Sequence, residues 1–268
     1  MSMSENSYLT PRDKKRCLVD RLLCGNSSWF YLKCFYYIYE CSTMPRDGKL
    51  SPADFLTQGK NIFKLIEDCG GRFEIQGLEH LRTPGPLVFI GNHMSLVETM
   101  VLPYLILERH DKHLTFVIKD TLLKYPAFGT ILRSIAAITV GRENPREDFK
   151  KVLTEGRKIL ETGAMSIVIF PQSTRSQDFH PEQFNTIGVK LARAAGVPVV
   201  PFALKTDFLG NGKFLKDLGP ICRRKTLYLH FGAPMPVTGN GKEQHNLIVE
   251  FIGQNIRQWK EKEHAQQE

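Results

Sequence analysis

Leu87-Val88-Phe89-Ile90 runs directly into Gly91-Asn92-His93-Met94-Ser95-Leu96-Val97-Glu98, and a largely apolar stretch continues to Leu107. The four apolar residues read as a buried strand, and Leu96 to Leu107 reads mostly as a helix. The same alternation extends outward in both directions. Strand-like runs fall near 72–76, 87–91, 114–118, 135–140, 166–170, 198–204 and 226–231. Helical patterns fall near 96–109, 121–133, 145–162, 184–195 and 243–262. In the third of these, Asn144 is placed to cap, Pro145 to open the first turn, Glu147 to complete the box and Gly163 to stop the helix. Strands alternating with helices argue for an α/β sheet covered by helices.

The polar corner carries chemistry. An imidazole titrates near neutrality and can take a proton from a hydroxyl as that hydroxyl attacks. A carboxylate on the far ring nitrogen fixes the tautomer and stabilises the imidazolium. His93 and Glu98 are spaced for such a pair if the chain turns into helix between them. A plainer reading stands beside it. Ser95 to Glu98 spells a capping box, in which Glu98 bonds the Ser95 amide and has no catalytic task. The two readings are compatible, because a capped first turn also holds the carboxylate still.

Three further blocks follow. Ser166 to Phe170 is a buried-strand run ending in Pro171-Gln172-Ser173-Thr174-Arg175-Ser176, a hydroxyl-rich corner with one Arg. Ile138-Thr139-Val140 runs into Gly141-Arg142. Gly196 to Leu204 reads as a buried strand with proline at its mouth. Arg presents a planar fork of donors that suits phosphate oxygens, and sites in open α/β sheets gather at the carboxyl ends of strands.

Taken in order over roughly 73–231, these blocks resemble the PlsC-like glycerolipid acyltransferases, the family that includes lysophosphatidic acid acyltransferases. Asn92-His93 with Glu98 resembles the family's N-H-x4-D block, and Gly141-Arg142 its second. Phe170 to Ser176 resembles F-P-E-G-T-R-S, and Val197-Pro198-Val199-Val200-Pro201 the fourth. The resemblance implies a central mixed, mostly parallel sheet covered by helices, with an N-terminal helical pair facing a membrane. It makes His93 the general base and Glu98 its orienter. It assigns acceptor phosphate to Arg142 and Arg175, with Gln172, Ser173 and Thr174 in the same loop, and the acyl or acceptor pocket to Val199, Val200 and Pro201. The implied reaction moves a fatty acyl group from acyl-CoA or acyl-carrier protein to a lysophospholipid hydroxyl, first of all 1-acyl-sn-glycerol-3-phosphate to phosphatidic acid. No cofactor and no metal is expected, because a thioester is already activated. Two rivals remain: a catalytically silent lipid-binding homologue, and a thioester hydrolase using the same base on water.

Three positions depart from the family pattern. Glu98 replaces Asp and is one methylene longer. Gln172 replaces Glu, and a neutral amide cannot balance an adjacent Arg. Ser173 replaces Gly, which is strained if that position needs a positive φ.

With 36 basic against 28 acidic residues the chain carries +8. That favours anionic partners such as a phospholipid surface, acyl-CoA or an acidic carrier protein, and no nucleic-acid motif accompanies it. The six cysteines form no C-x2-C pair, so a packed, reduced role is expected. Residues 1–16 are polar, read as a flexible terminus, and lack a signal-peptide pattern. Residues 17–71 read as a helical, membrane-associating segment. Its first part is too interrupted for a span, and its aromatics suit either a headgroup boundary or a buried helix. Residues 72–268 read as the acyltransferase domain. The expected location is the cytoplasmic face of a membrane, peripheral or monotopic. His110 and His113, at H-x-x-H spacing, are expected on a solvated face rather than around a metal.

Overall fold

The computed structural model describes residues 4–23, 26–172, 174–210, 212 and 218–265. Eight strands form one sheet: β1 (Ser7–Leu9), β2 (Arg72–Gln76), β3 (Val88–Gly91), β4 (His113–Lys119), β5 (Ile138–Val140), β6 (Met165–Ile169), β7 (Val199–Lys205) and β8 (Thr226–Phe231). Their spatial order is β1-β2-β8-β7-β3-β6-β4-β5. The run β7-β3-β6-β4-β5 is parallel throughout, β2 and β8 are also parallel, and the β7–β8 and β1–β2 pairings are antiparallel. All seven strands read from apolar runs are present. The sheet is mixed and mostly parallel, as the resemblance implied.

Helices cover both faces: α1 (Leu18–Leu22), α2 (Ser28–Thr43), α3 (Pro52–Asp68), α4 (Val97–Leu107), α5 (Pro126–Ser134), α6 (Pro145–Glu161), α7 (Ile187–Ala195) and α8 (Lys242–Ala265). Period-two alternation splits the central strands between two cores. Phe89 joins a cluster with residues of α2, α3, α4 and α5. Val88 and Ile90 join another with residues of α6, α7 and α8. Because central strands are buried on both faces, they read as continuous apolar runs. Asn144 caps α6 by accepting from the Arg146 and Glu147 amides.

Two expectations about the N-terminal region change. Ser7–Leu9 is an edge strand on β2, with Tyr8 and Thr10 both donating to the buried Glu67 carboxylate (2.7 and 2.5 Å). A three-residue strand is too short to show alternation, and the anchoring acid lies far off in sequence. The segment 17–71 also shares its core with the rest. Phe63 stacks on Phe73 with ring centroids 4.0 Å apart, and Gly59 lets α3 approach the backbone of α4 at Tyr104. The expected helix over 121–133 is divided. A 3-10 turn spans Asp120–Lys124, and α5 restarts at Pro126, whose ring forces Tyr125 to be extended.

Candidate active site

The carboxyl ends of β3, β5, β6 and β7 lie on one edge of the sheet, since these strands run in the same direction. Each delivers one block. Gly91 ends β3 because the Phe202 ring leaves no room for a Cβ, which would sit 2.2 Å from it. The next two residues are Asn92 and His93. The Asn92 side chain donates to the Leu204 carbonyl (2.8 Å) and accepts from the Leu204 amide (2.9 Å), which ties the corner to β7.

His93 is held on every side but one. Its Nδ1 lies 2.9 Å from Glu98 Oε1. Its ring stacks on Phe170 at 4.2 Å and 18°. Its amide donates to Gln172 Oε1 (2.9 Å), and its carbonyl accepts from the Ser176 amide (3.0 Å), so the loop after β6 grips this peptide from both directions. Among the described residues Nε2 takes no hydrogen bond, and the side chain is 17 % exposed. With Nδ1 committed to the carboxylate, Nε2 is the nitrogen left for a substrate.

Glu98, in the first turn of α4, is fully buried. Its Oε1 also accepts the Met94 and Ser95 amides (2.5 and 2.7 Å). Its Oε2 accepts the Ser95 and Thr206 hydroxyls (both 2.8 Å). One oxygen thus bonds both the Ser95 amide and the His93 ring, while the Ser95 hydroxyl accepts the Val97 amide rather than completing a reciprocal capping box. Burial alone pushes this carboxyl up; the hydrogen bond and charge of His93, with the Ser95 and Met94 amides, outweigh it and hold the group below the usual carboxylate range.

Arg142 follows β5 in a left-handed backbone (φ 69°), a strained state for a residue with a Cβ. Asp148 of α6 fixes it by accepting the Gly141 and Arg142 amides at 2.9 and 2.7 Å. Burial lowers the Arg142 guanidinium from its ordinary range; Asp148 raises it, and the charge of Arg175 lowers it again.

Residues 72–205, half of the chain, match the Acyltransferase family. The chain belongs to that family. It is 34% identical over 173 residues to a 1-acyl-sn-glycerol-3-phosphate acyltransferase of Pseudomonas aeruginosa, covering 65% of this chain and 63% of that protein. It is 29% identical over 143 residues to the chloroplastic 1-acyl-sn-glycerol-3-phosphate acyltransferase BAT2 of Brassica napus, covering 53% of this chain and 38% of that protein. The match thus spans less than two thirds of either relative. The fold is similar to a crystal structure titled the 1-acyl-sn-glycerophosphate acyltransferase PlsC from Thermotoga maritima, with a TM-score of 0.66 at 20% identity, covering 90% of this chain and 97% of that one.

Within this acyltransferase fold, His93, Glu98, Gln172 and Ser176 are joined by hydrogen bonds, while Arg142 and Arg175 follow β5 and β6 at the same edge of the sheet. Gln172 is buried and spends its oxygen on the His93 amide, so it ties two blocks together. The Thr174 hydroxyl donates to the Arg175 carbonyl at 3.2 Å. Ser173 lies outside the described residues. Val199, Val200 and Pro201 are not at this edge. All three are buried in β7, opposite Val88, Phe89 and Ile90, and Val199 sits five residues, about 17 Å, before Leu204. The block is legible as strand because a strand covered on both faces is apolar throughout.

His110 and His113 are not on a solvated face. His110 Nε2 bonds Ser166 Oγ in the core (2.7 Å), and His113 Nε2 bonds the Leu50 carbonyl (3.0 Å). Among the described residues no cluster of three His, Cys, Asp or Glu is placed to hold a metal. Thr206 and Phe170 are the site residues that the sequence reading missed. A single threonine after a buried strand carries no pattern, whereas the aromatic at a strand end beside the loop was a usable signal for Phe170.

Proposed function

We propose that the protein transfers a fatty acyl group from a thioester, acyl-CoA or acyl-carrier protein, to the free hydroxyl of 1-acyl-sn-glycerol-3-phosphate. The observation that carries this reading is His93, tied through Nδ1 to a buried carboxylate with Nε2 unclaimed, on the same sheet edge as two arginines. The names of the relatives support the acceptor. Nε2 removes the hydroxyl proton as the oxygen attacks the thioester carbonyl. The C–S bond then breaks, and the imidazolium returns the proton to the departing thiolate. Glu98 stabilises the imidazolium between these events, and Arg142 and Arg175 hold the acceptor phosphate. Positioning and one base suffice for an activated donor.

The membrane reading belongs to the same proposal. α1 is inverted: Asp20 is fully buried against Arg223 (2.7 Å), while Leu18 and Leu22 are 71% and 80% exposed. On α2, Leu32, Phe35 and Tyr39 also face outward. No described helix is long and apolar enough to cross a membrane, so this face fits a monotopic contact with lipid, at the cytoplasmic side where thioester donors would be presented.

The test is product analysis by mass spectrometry after incubation with a panel of lysolipids and acyl thioesters, on anionic vesicles. Phosphatidic acid as the main product supports the reading. Equal acylation of phosphate-bearing and phosphate-free acceptors, or thioester cleavage with no acyl lipid formed, contradicts it.

A further inference from the structure

The carboxylate of Glu98 has two oxygens, and only one faces His93. Oε1 collects the ring and two amides, while Oε2 is held by two hydroxyls from separate parts of the chain. Ser95 is local. Thr206 arrives from the end of β7, 108 residues away, and is fully buried. We propose that Thr206 is a positioning residue for acyl transfer: its hydroxyl, with that of Ser95, locks the outer oxygen of Glu98 so that the inner oxygen stays on His93 Nδ1.

The placement of Thr206 is over-determined. Its amide contacts Met94 Sδ at 3.2 Å, and its hydroxyl lies 2.9 Å from Ser95 Oγ. The preceding residue, Lys205, faces the other side of the strand and is paired there with Asp207 (2.7 Å) and Glu263 (2.8 Å). Leu204 is bracketed by the Asn92 side chain. The end of β7 is therefore fastened on both faces, and the hydroxyl is delivered to one point.

The proton count gives the arrangement its direction. Ser95 Oγ and Thr206 Oγ1 have one proton each and share three contacts: one with each other and one each with Oε2. Ser95 Oγ accepts the Val97 amide (3.1 Å) and donates to Oε2, as Thr206 Oγ1 does; with both protons on the carboxylate, the contact between the two hydroxyls is left without one. The one titratable group within hydrogen-bond reach of Glu98 among the described residues is His93. A carboxylate so supplied with donors is a weak proton acceptor, which leaves the proton on the imidazolium for the departing thiolate.

Glu98 has one methylene more than the Asp of the family pattern. A longer side chain has one more rotatable bond to fix, and the two hydroxyls on Oε2 fix it.

This proposal rests on the acyl-transfer reading, so its test includes a measurement that does not need turnover. Thr206→Val keeps shape and removes the hydroxyl; Thr206→Ser keeps the hydroxyl and removes a methyl. In steady-state kinetics T206V is expected to lose about tenfold or more in kcat, with KM for both substrates within about twofold. T206S should behave as wild type. In 15N-histidine-labelled protein, assigned with His93→Gln, wild type should show a single His93 tautomer with its proton on Nδ1, and T206V a mixture of tautomers, whether or not acyl transfer occurs. Thr206→Cys, a weak donor of similar size, provides a second variant should T206V not fold, and should fall between wild type and T206V. His93 ring spectra showing the same single tautomer in wild type and the folded variant overturn the proposal, as does a T206S enzyme as slow as T206V. Absence of acyl transfer by wild type overturns the functional reading alone.

Discussion

Replacing Glu98 by Gln removes one charge from a fully buried site while preserving its shape. The amide oxygen can still accept from His93 Nδ1 and from the Met94 and Ser95 amides. The amide NH2 meets the Ser95 and Thr206 hydroxyls, which can turn to accept. What disappears is the anion 2.9 Å from an imidazole that becomes cationic during the reaction. At an effective dielectric of 20, unit charges at that distance attract by about 6 kcal/mol. Roughly half to four fifths of that should be lost, because the neutral oxygen keeps a hydrogen bond. The barrier then rises by about 3–5 kcal/mol, a fall in kcat of roughly 10² to 10⁴. KM should change little, since Glu98 touches no substrate. The assay is thiol release from acyl-CoA with saturating acceptor. The charge has a thermodynamic signature as well. The carboxyl of Glu98 is held below its ordinary value, so its contribution to stability is present above the unfolded-state value and is lost as pH falls through the folded one. E98Q should therefore show a flatter acid side of the stability profile. An E98Q enzyme retaining more than a tenth of wild-type kcat, or one impaired only in KM, refutes the charge argument.

Other perturbations test other parts. Arg142→Lys keeps the charge but loses the planar fork and should raise the acceptor KM about tenfold while leaving the donor KM unchanged. Gln172→Ala orphans the His93 amide and should cost about 1–3 kcal/mol in denaturant unfolding; Gln172→Glu keeps that acceptor, so its cost should appear in the acceptor KM as added repulsion of phosphate. Gly91→Ala drives a methyl into the Phe202 ring and should cost about 1–3 kcal/mol, read as a lower Tm. The paired change Leu22→Glu with Phe35→Glu should reduce partition onto anionic vesicles roughly tenfold to a hundredfold, with activity on dispersed substrate retained.

Much of this architecture is legible in the chain because it is carried by apolar runs. The central strands are buried on both faces and announce themselves; β1 escapes notice because three residues show no period and Tyr8 finds its partner on α3. The pair His93 and Glu98 is legible because three further blocks follow it in the family's order; alone, the same residues also spell a capping box. The role of Gln172 is not, since nothing local says that its oxygen will meet a backbone amide 79 residues earlier. Thr206 is hidden for the same reason. The Val199–Pro201 block is legible as a buried strand because β7 is covered on both faces. The aromatics of residues 17–71 suit either a headgroup boundary or a buried helix, and the outward turn of Leu18 and Leu22 on α1 goes with Asp20 being pinned by Arg223.

The most direct measurement is the coupling between thiol release and acylated lipid in wild type and His93→Ala, with acyl-CoA alone and with 1-acyl-sn-glycerol-3-phosphate added. One thiol per phosphatidic acid, dependent on the acceptor and abolished in H93A, is the result expected of an imidazole that deprotonates the acceptor hydroxyl. Thiol release at the same rate without acceptor, or unchanged turnover in H93A, contradicts it.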